Sequence, residues 1–254
     1  MGLKLTFEKV LLGSCQFYPS NFRLPVGIPV FGPSALAARM EGDKAFSKAF
    51  MDRHSIPTAK FRVFPSSQVD EAIQYVKTCG HKVVLKASGL AAGKGVLMPE
   101  TVDEAVNGLN EIMVANVFGA AGPPKSCIQP AIKSIYILFF LGNKVVVEEL
   151  LTGAEISVLA FSDGYSIVPL PAAQDHKRIG EGDIGLNTGG MGAYAPAPIA
   201  TPAVLDQIMS ETLRPTIDGM RKEGLSNKTS RSLSPDQGKC QVSHLLVCSS
   251  QGSC

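Results

Sequence analysis

Between residues 67 and 113 the chain sets out helix, strand and helix in an order that leaves little choice of fold class. Ser67 and Asp70 have the spacing of a capping box, and Val69, Ala72, Ile73 and Val76 then recur at helical intervals. Thr101 and Glu104 repeat the device ahead of Val102, Ala105, Val106, Leu109, Ile112 and Met113. Between the two, "KVVLKA" (82–87) is a β-branched strand that runs straight into the glycine-rich stretch 88–96.

That stretch, "SGLAAGKGV", fits neither common phosphate-binding fingerprint. A Walker loop needs about four residues between its first glycine and Gly-Lys, then Ser or Thr. Here three residues separate Gly89 from Gly93-Lys94, and Gly95 follows the lysine. The dinucleotide pattern fails because Met98 stands where its third glycine belongs. Two readings stay open: backbone N–H groups and lysines cradling an anion, or a hairpin tip with solvated lysines.

The rest of the chain extends the pattern. "IPVFGPS" (28–34) reads as a strand before "ALAARMEG", and Asp43 caps a helix over 44–53 that Pro57 stops. "KFRVF", "KVVVEEL" (144–150), "EISVLAFSD" (155–163) and "YSIVPLP" (165–171) read as strands, the last two joined through Asp163-Gly164 as a hairpin. Residues 172–198 read as a long polar, glycine-rich loop, and Thr201-Pro202 opens a helix to about residue 223 that Pro215 bends or splits. Alternating elements followed by consecutive strands predict an α+β or α/β fold with antiparallel content.

Composition excludes several classes. The apolar fraction is 45%, the charged fraction 18% and the net charge +2, so neither nucleic acid nor a membrane surface is called for. Six scattered cysteines without a Cys-x-x-Cys pair suggest neither a zinc site nor a disulfide framework. The longest apolar run, "IYILFFL" (135–141), is too short for a bilayer span of about 20 residues. With no secretory signal pattern, the expectation is a soluble cytoplasmic protein.

Two further segments carry candidate chemistry. "VVVEELLTGAE" offers Glu148, Glu149 and Glu155, either as solvated acids at a strand end or as an adenine edge with Glu155 accepting from ribose hydroxyls. "QDHKR" packs Asp175, His176, Lys177 and Arg178 together, either exposed or suited to a phosphate or carboxylate with Arg178 as bidentate partner. "NTGGMGAY" (187–194) either bends around a ligand or is a flexible turn.

Four ordered blocks, "GIPVFGPSALAARMEGDKAFSKAFMDRHSIPTA", "VVLKASGLAAGKGV", "VVVEELLTGAEISVLAFSDG" and "PAAQDHKRIGEGDIGLNTGGMGAYAPAP", together resemble phosphoribosylamine–glycine ligase (glycinamide ribonucleotide synthetase) of the ATP-grasp superfamily. The resemblance covers roughly residues 27–122 and 143–224. It implies an ATP-dependent ligase of purine synthesis that joins glycine to phosphoribosylamine through a glycyl phosphate. It also implies site residues. Lys44 and Lys86 would meet ATP phosphates, with Lys86 and Arg178 the catalytic pair, and the flap with Gly89, Gly93, Lys94 and Gly95 would fold over the phosphates. Glu148, Glu149 and Leu151 would line adenine, and Glu155 the ribose. Asp175, His176, Lys177, Arg178, Asn187, Thr188, Gly189, Gly190 and Met191 would face the substrates. Magnesium or manganese is the expected metal.

Three departures shape the expected architecture, an incomplete ATP-grasp fold of the α+β class. Residues 1–27 are an unmatched N-terminal segment where the family carries a further domain. Within the partial ATP-grasp domain (28–224), the small lobe spans about 50–115, an insertion occupies 123–142, and 143–223 contribute part of the large lobe. Residues 225–254 are an unmatched, disordered tail where the family continues into strands bearing its metal ligands, so no metal ligand is assigned. A sheet lacking those strands is expected to leave unpaired edges and poor solubility. Two readings follow: the ligase, fused in its full-length form to other purine-pathway enzymes, or a catalytically impaired nucleotide-binding remnant from an alternative transcript or gene-model fragment.

Overall fold

The computed structural model describes residues 7–12, 36–37, 39–88, 95–115, 144–182, 184–225 and 243–250. In chain order its elements are strand β1 (Phe7–Leu12), helices α1 (Arg39–Gly42) and α2 (Lys44–Arg53), β2 (Phe61–Pro65), α3 (Val69–Thr78), β3 (Val83–Ala87), β4 (Val96–Leu97) and α4 (Val102–Met113). There follow β5 (Lys144–Glu149), β6 (Glu155–Ser162), β7 (Ile167–Pro169), β8 (Gln174–Gly180), β9 (Ile184–Tyr194), α5 (Pro202–Ile208), α6 (Arg214–Lys222) and β10 (Ser243–Ser250). They fall into two compact units, one of Arg39–Ala49 with Ala59–Leu150, the other of Met1–Ala38, Phe50–Thr58 and Leu151–Cys254.

The first unit is an antiparallel sheet in the order β2-β5-β3-β4. Its β-branched runs read as strands because they are buried on both faces. Val83, Leu85 and Ala87 of β3, with Val145 and Val147 of β5, face a core completed by Ala72 and Val76 of α3 and Ala105, Leu109 and Ile112 of α4. The alternate residues Val84, Lys86, Val146 and Glu148 lie on the opposite face and are buried too. Gly108 lets α4 approach this sheet, since a Cβ there would stand 2.9 Å from Leu85 Cδ1.

Capping follows the expectation at α4, where Thr101 Oγ1 accepts from Glu104 N at 3.1 Å. The Glu104 carboxylate turns instead to Glu100 N, at 2.9 Å. At α3 the expectation fails. Ser67 sits in a 3₁₀ turn (Ser66–Gln68), Gln68 takes the cap position, and no side chain caps the helix. The 3₁₀ turn leads directly into α3 and keeps Ser67 short of the cap position. The strand β5, assigned above to the large lobe, belongs to this first sheet because it pairs β2 on one side and β3 on the other.

The second unit holds a sheet in the order β1-β10-β6-β7. Ile156, Val158, Ala160 and Ser162 alternate inward along β6. The β6–β7 hairpin turns at Asp163-Gly164 as expected, with Asp163 Oδ1 accepting from Tyr165 N and Ser166 N and Gly164 at φ 93°.

Four expectations are corrected in this unit. The tail read as disordered contains β10, which pairs all eight residues of β6. Its run Leu245-Leu246-Val247 favours a strand within an otherwise Ser-rich stretch. The segment given no structure holds β1, which adds a further strand beside β10. The glycine-rich loop 172–198 holds the antiparallel pair β8 and β9, whose register slips at His176/Arg178 and at Arg178/Gly180. Pro215 does not split the last helix. A π-helical stretch, Met209–Leu213, joins α5 to α6, with Arg214 N bonding Met209 O, which lets the helix continue past a residue that has no N–H. Ile28–Ser34 and the insertion at 123–142 lie outside the described residues.

Candidate functional site

In the first unit, the sheet face opposite the α3–α4 core carries a buried charge cluster. Glu148 stands opposite Val84 in the β3–β5 register, and Lys86 is two residues further along β3 on the same face. This diagonal puts Lys86 Nζ 3.1 Å from Glu148 Oε2. The same oxygen receives Lys48 Nζ from α2 at 2.9 Å. The Lys48 and Glu148 side chains are each 2% exposed, and that of Lys86 is 9% exposed. The Lys48 ammonium also lies 5.7 Å from the centroid of the Phe61 ring.

The start of α2 is pinned to the end of β3. Asp43 Oδ1 caps the helix by accepting from Phe46 N at 3.0 Å, and accepts from Ser88 Oγ at 3.0 Å. Ser88 Oγ accepts in turn from Ala45 N at 3.2 Å. Lys44 Nζ donates to Ala87 O at 3.0 Å. Beyond Ser88 the chain enters the glycine loop. Gly89, Gly93 and Lys94 lie outside the described residues, while Gly95 O accepts from Ala87 N at 2.8 Å where the turn closes into β4. The loop thus springs from a base fixed by a helix cap and a strand ladder. At the far end of β5, Glu149 N bonds Lys60 O and Leu150 N bonds Lys82 O, both at 2.8 Å.

In the second unit Leu151 precedes β6, and Glu155 is the first residue of that strand. Glu155 Oε1 meets Lys177 Nζ of β8 at 3.2 Å. Along the hairpin, Asp175 registers with Ala193, His176 with Gly192 and Arg178 with Asn187. The His176 ring stacks on Tyr194, centroids 5.6 Å apart, and Tyr194 donates its hydroxyl proton to Gln174. Thr188 Oγ1 donates to Lys177 O at 2.8 Å and accepts from Gly190 N at 3.1 Å. Gly190, at φ 129°, takes a backbone conformation that side chains rarely adopt, and Gly189 and Met191 flank it in β9. Arg178 Nη1 donates to Gly185 O at 3.3 Å. The motif therefore brings together Glu155, Lys177 and Thr188, while Arg178 turns along its own hairpin.

Two elements of the first cluster were not singled out in the sequence. Lys48 carried one usable signal, its position one helical turn after Lys44. Ser88 carried none, since its role depends on α2 lying against the end of β3.

The cluster suits an anionic ligand, because two ammonium groups, Lys48 and Lys86, share one buried carboxylate and leave a net positive charge. It does not suit a divalent metal. Among the described residues no group of three or more His, Cys, Asp or Glu could hold one, and the buried acid Glu148 is engaged by two lysines. Also among the described residues, no helix is long and apolar enough to cross a membrane.

Comparison with known proteins gives a consistent picture. The phosphoribosylglycinamide synthetase ATP-grasp (A) domain family matches residues 42–229. The bifunctional purine biosynthetic protein PUR2,5 of Pichia angusta is 55% identical over 198 residues, which are 78% of this chain and 22% of that protein. The phosphoribosylamine–glycine ligase of Pasteurella multocida is 44% identical over 198 residues, 78% of this chain and 41% of that enzyme. The crystal structure of phosphoribosylamine–glycine ligase from Thermotoga maritima superposes with a TM-score of 0.62 at 32% identity, covering 78% of this chain and 45% of that one. The chain thus spans less than half the length of each relative, with the ATP-grasp fold as the shared part. A match over residues 42–229, with the lysine–glutamate cluster and the glycine loop inside it, means that this chain belongs to the phosphoribosylglycinamide synthetase ATP-grasp (A) domain family.

Proposed function

We propose that the chain is an ATP-dependent ligase that joins glycine to phosphoribosylamine through a glycyl phosphate, acting in de novo purine nucleotide synthesis. The observation that carries this reading is the buried Lys48–Glu148–Lys86 cluster on the sheet whose strand β3 runs into the glycine-rich stretch, inside the matched family segment. In this reading Lys44 and Lys86 meet the nucleotide phosphates, and the flap with Gly89, Gly93, Lys94 and Gly95 excludes water from them. Glu148, Glu149 and Leu151 border adenine and Glu155 accepts from the ribose. The pair β8–β9 takes glycine and phosphoribosylamine through Asp175, His176, Lys177, Arg178, Asn187, Thr188, Gly189, Gly190 and Met191. ATP supplies the phosphoryl group that makes the glycine carboxylate a mixed anhydride. The amine of phosphoribosylamine then displaces phosphate to leave the amide. The protein's task is to neutralise charge on the transferring group, which is what Lys86 and Arg178 are assigned to do. The family leads one to expect magnesium or manganese, a cytoplasmic setting and fusion to other purine-pathway enzymes.

A second reading, a nucleotide-binding remnant without ligation, is favoured by the donor set: among the described residues no group of three or more His, Cys, Asp or Glu could hold a metal ion. ADP release from the purified chain, with ATP and magnesium supplied, separates the two. Release that depends on both glycine and phosphoribosylamine supports the ligase. Nucleotide binding with no such release supports the second reading and removes the first.

A further inference from the structure

We infer that Lys48 is a positioning residue that holds Glu148 as a shared counter-charge and so leaves the Lys86 ammonium able to turn to a nucleotide phosphate. The inference rests on the ATP-binding reading above and assigns it a residue that the motifs did not.

A lysine and a glutamate buried as a pair attract strongly in a low-dielectric setting, and they tend to satisfy each other. Lys86 and Glu148 are such a pair by register alone, as diagonal neighbours on one sheet face. A ligand phosphate would then have to compete with Glu148 for Lys86. Lys48 changes that balance. It meets the same oxygen, Glu148 Oε2, at 2.9 Å, beside Lys86 at 3.1 Å. With one carboxylate oxygen divided between two ammonium groups, Lys86 can turn to a phosphate without leaving a buried carboxylate unpaired.

Two features say that the charge of Lys48 is used, not merely its bulk. An ammonium at 2% exposure is expensive to desolvate, and an apolar side chain of similar volume would fill the space without that cost. Its helix is also not loosely placed. Lys44, one turn earlier, bonds Ala87 O, and Asp43 and Ser88 lock the start of α2 to the end of β3. The Nζ of Lys48 is therefore presented to Glu148 by a fixed frame.

The test is calorimetric binding of AMP, ADP and ATP to the full chain, read as the gain in affinity from AMP to ATP, with thermal melts in parallel. Lys48→Met is expected to cut that gain by about ten-fold, the loss of one charge-assisted contact. Lys48→Arg is expected to keep most of it. On a Glu148→Gln background the same Lys48→Met change is expected to alter the gain by less than about two-fold, because its route is gone. An unchanged gain with only a lowered melt makes Lys48 structural and overturns the inference. An equal loss on both backgrounds puts Lys48 on the phosphate itself and also overturns it. An unsubstituted chain that binds ATP no better than AMP overturns the ATP reading together with the inference. Where Lys48→Met or Glu148→Gln abolishes the cooperative melt, Lys48→Arg decides, since loss of the gain with the charge retained contradicts the inference.

Discussion

Lys177 Nζ meets Glu155 Oε1 at 3.2 Å, an ion pair that ties β8 to the first residue of β6. The two residues are assigned to different ligands, Glu155 to a ribose and Lys177 to the amide-forming substrates, yet they touch. Glu155→Gln keeps the shape and removes the charge that would accept from ribose hydroxyls. The unsubstituted chain is expected to prefer ATP to 2′-deoxy-ATP. The variant is expected to lose about ten-fold of that preference, the loss of a hydrogen bond to a charged group. Competition binding of the two nucleotides checks this, and equal preferences in both chains would remove Glu155 from the ribose.

Glu148 answers for two buried ammonium groups, so removing it leaves both without their shared carboxylate. Glu148→Ala is expected to destabilise the chain by about 3–5 kcal/mol, the range for breaking a buried ion pair from one side. Denaturant unfolding with matched slopes measures it. A change within the scatter of surface substitutions would show that the lysines are not held as described.

The second unit carries an acid-sensitive contact. Glu223 accepts from Arg53 through both oxygens at 2.9 Å and meets His54 Nε2 at 2.8 Å. The hydrogen bond from Arg53 is the main cause that holds the Glu223 carboxyl below its ordinary pKa, with His54 adding to it. Because the folded value is depressed, the stabilisation is complete above the unfolded carboxyl pKa of about 4.3 and is lost as the pH falls through the folded value. Glu223→Gln is therefore expected to be less stable than the parent at neutral pH, and the gap is expected to close in acid. Parallel melts across the range test this, and a gap that widens in acid would contradict it.

Gly219 lies in α6 against the same group. A Cβ there would stand 2.7 Å from His54 Cγ, inside the distance real side chains keep. Gly219→Ala gains helix propensity but must displace the imidazole. The net expectation is a loss of about 1–3 kcal/mol, typical of overpacking. The His54–Glu223 contact should weaken with it, visible as a reduced acid dependence of the melt.

The sequence and the structure agree where local signals are strong. Thr101 caps α4, Asp43 caps α2, Asp163-Gly164 turns the β6–β7 hairpin, and the β-branched runs at 83–85 and 145–147 are strands. The pair β8–β9 was not legible, because its glycines lower strand propensity and its register slips break the alternation that marks a strand. Nor was β10, whose apolar run is short and whose partner, β6, is far away in the sequence. Lys48 shows the limit most clearly. A lysine on a helix reads as solvated until it is known which sheet covers it, and burial here depends on the pairing of β5 between β2 and β3.

Lys86, two residues before the glycine-rich stretch, is assigned to a nucleotide phosphate. Isothermal titration of ATP into the purified 254-residue chain and into its Lys86→Met variant tests it most directly. The unsubstituted chain is expected to bind ATP saturably. Binding at least about ten-fold weaker is expected in the variant, as for the loss of one charge-assisted phosphate contact. Binding of equal strength in the two chains, or none in the unsubstituted one, would contradict it.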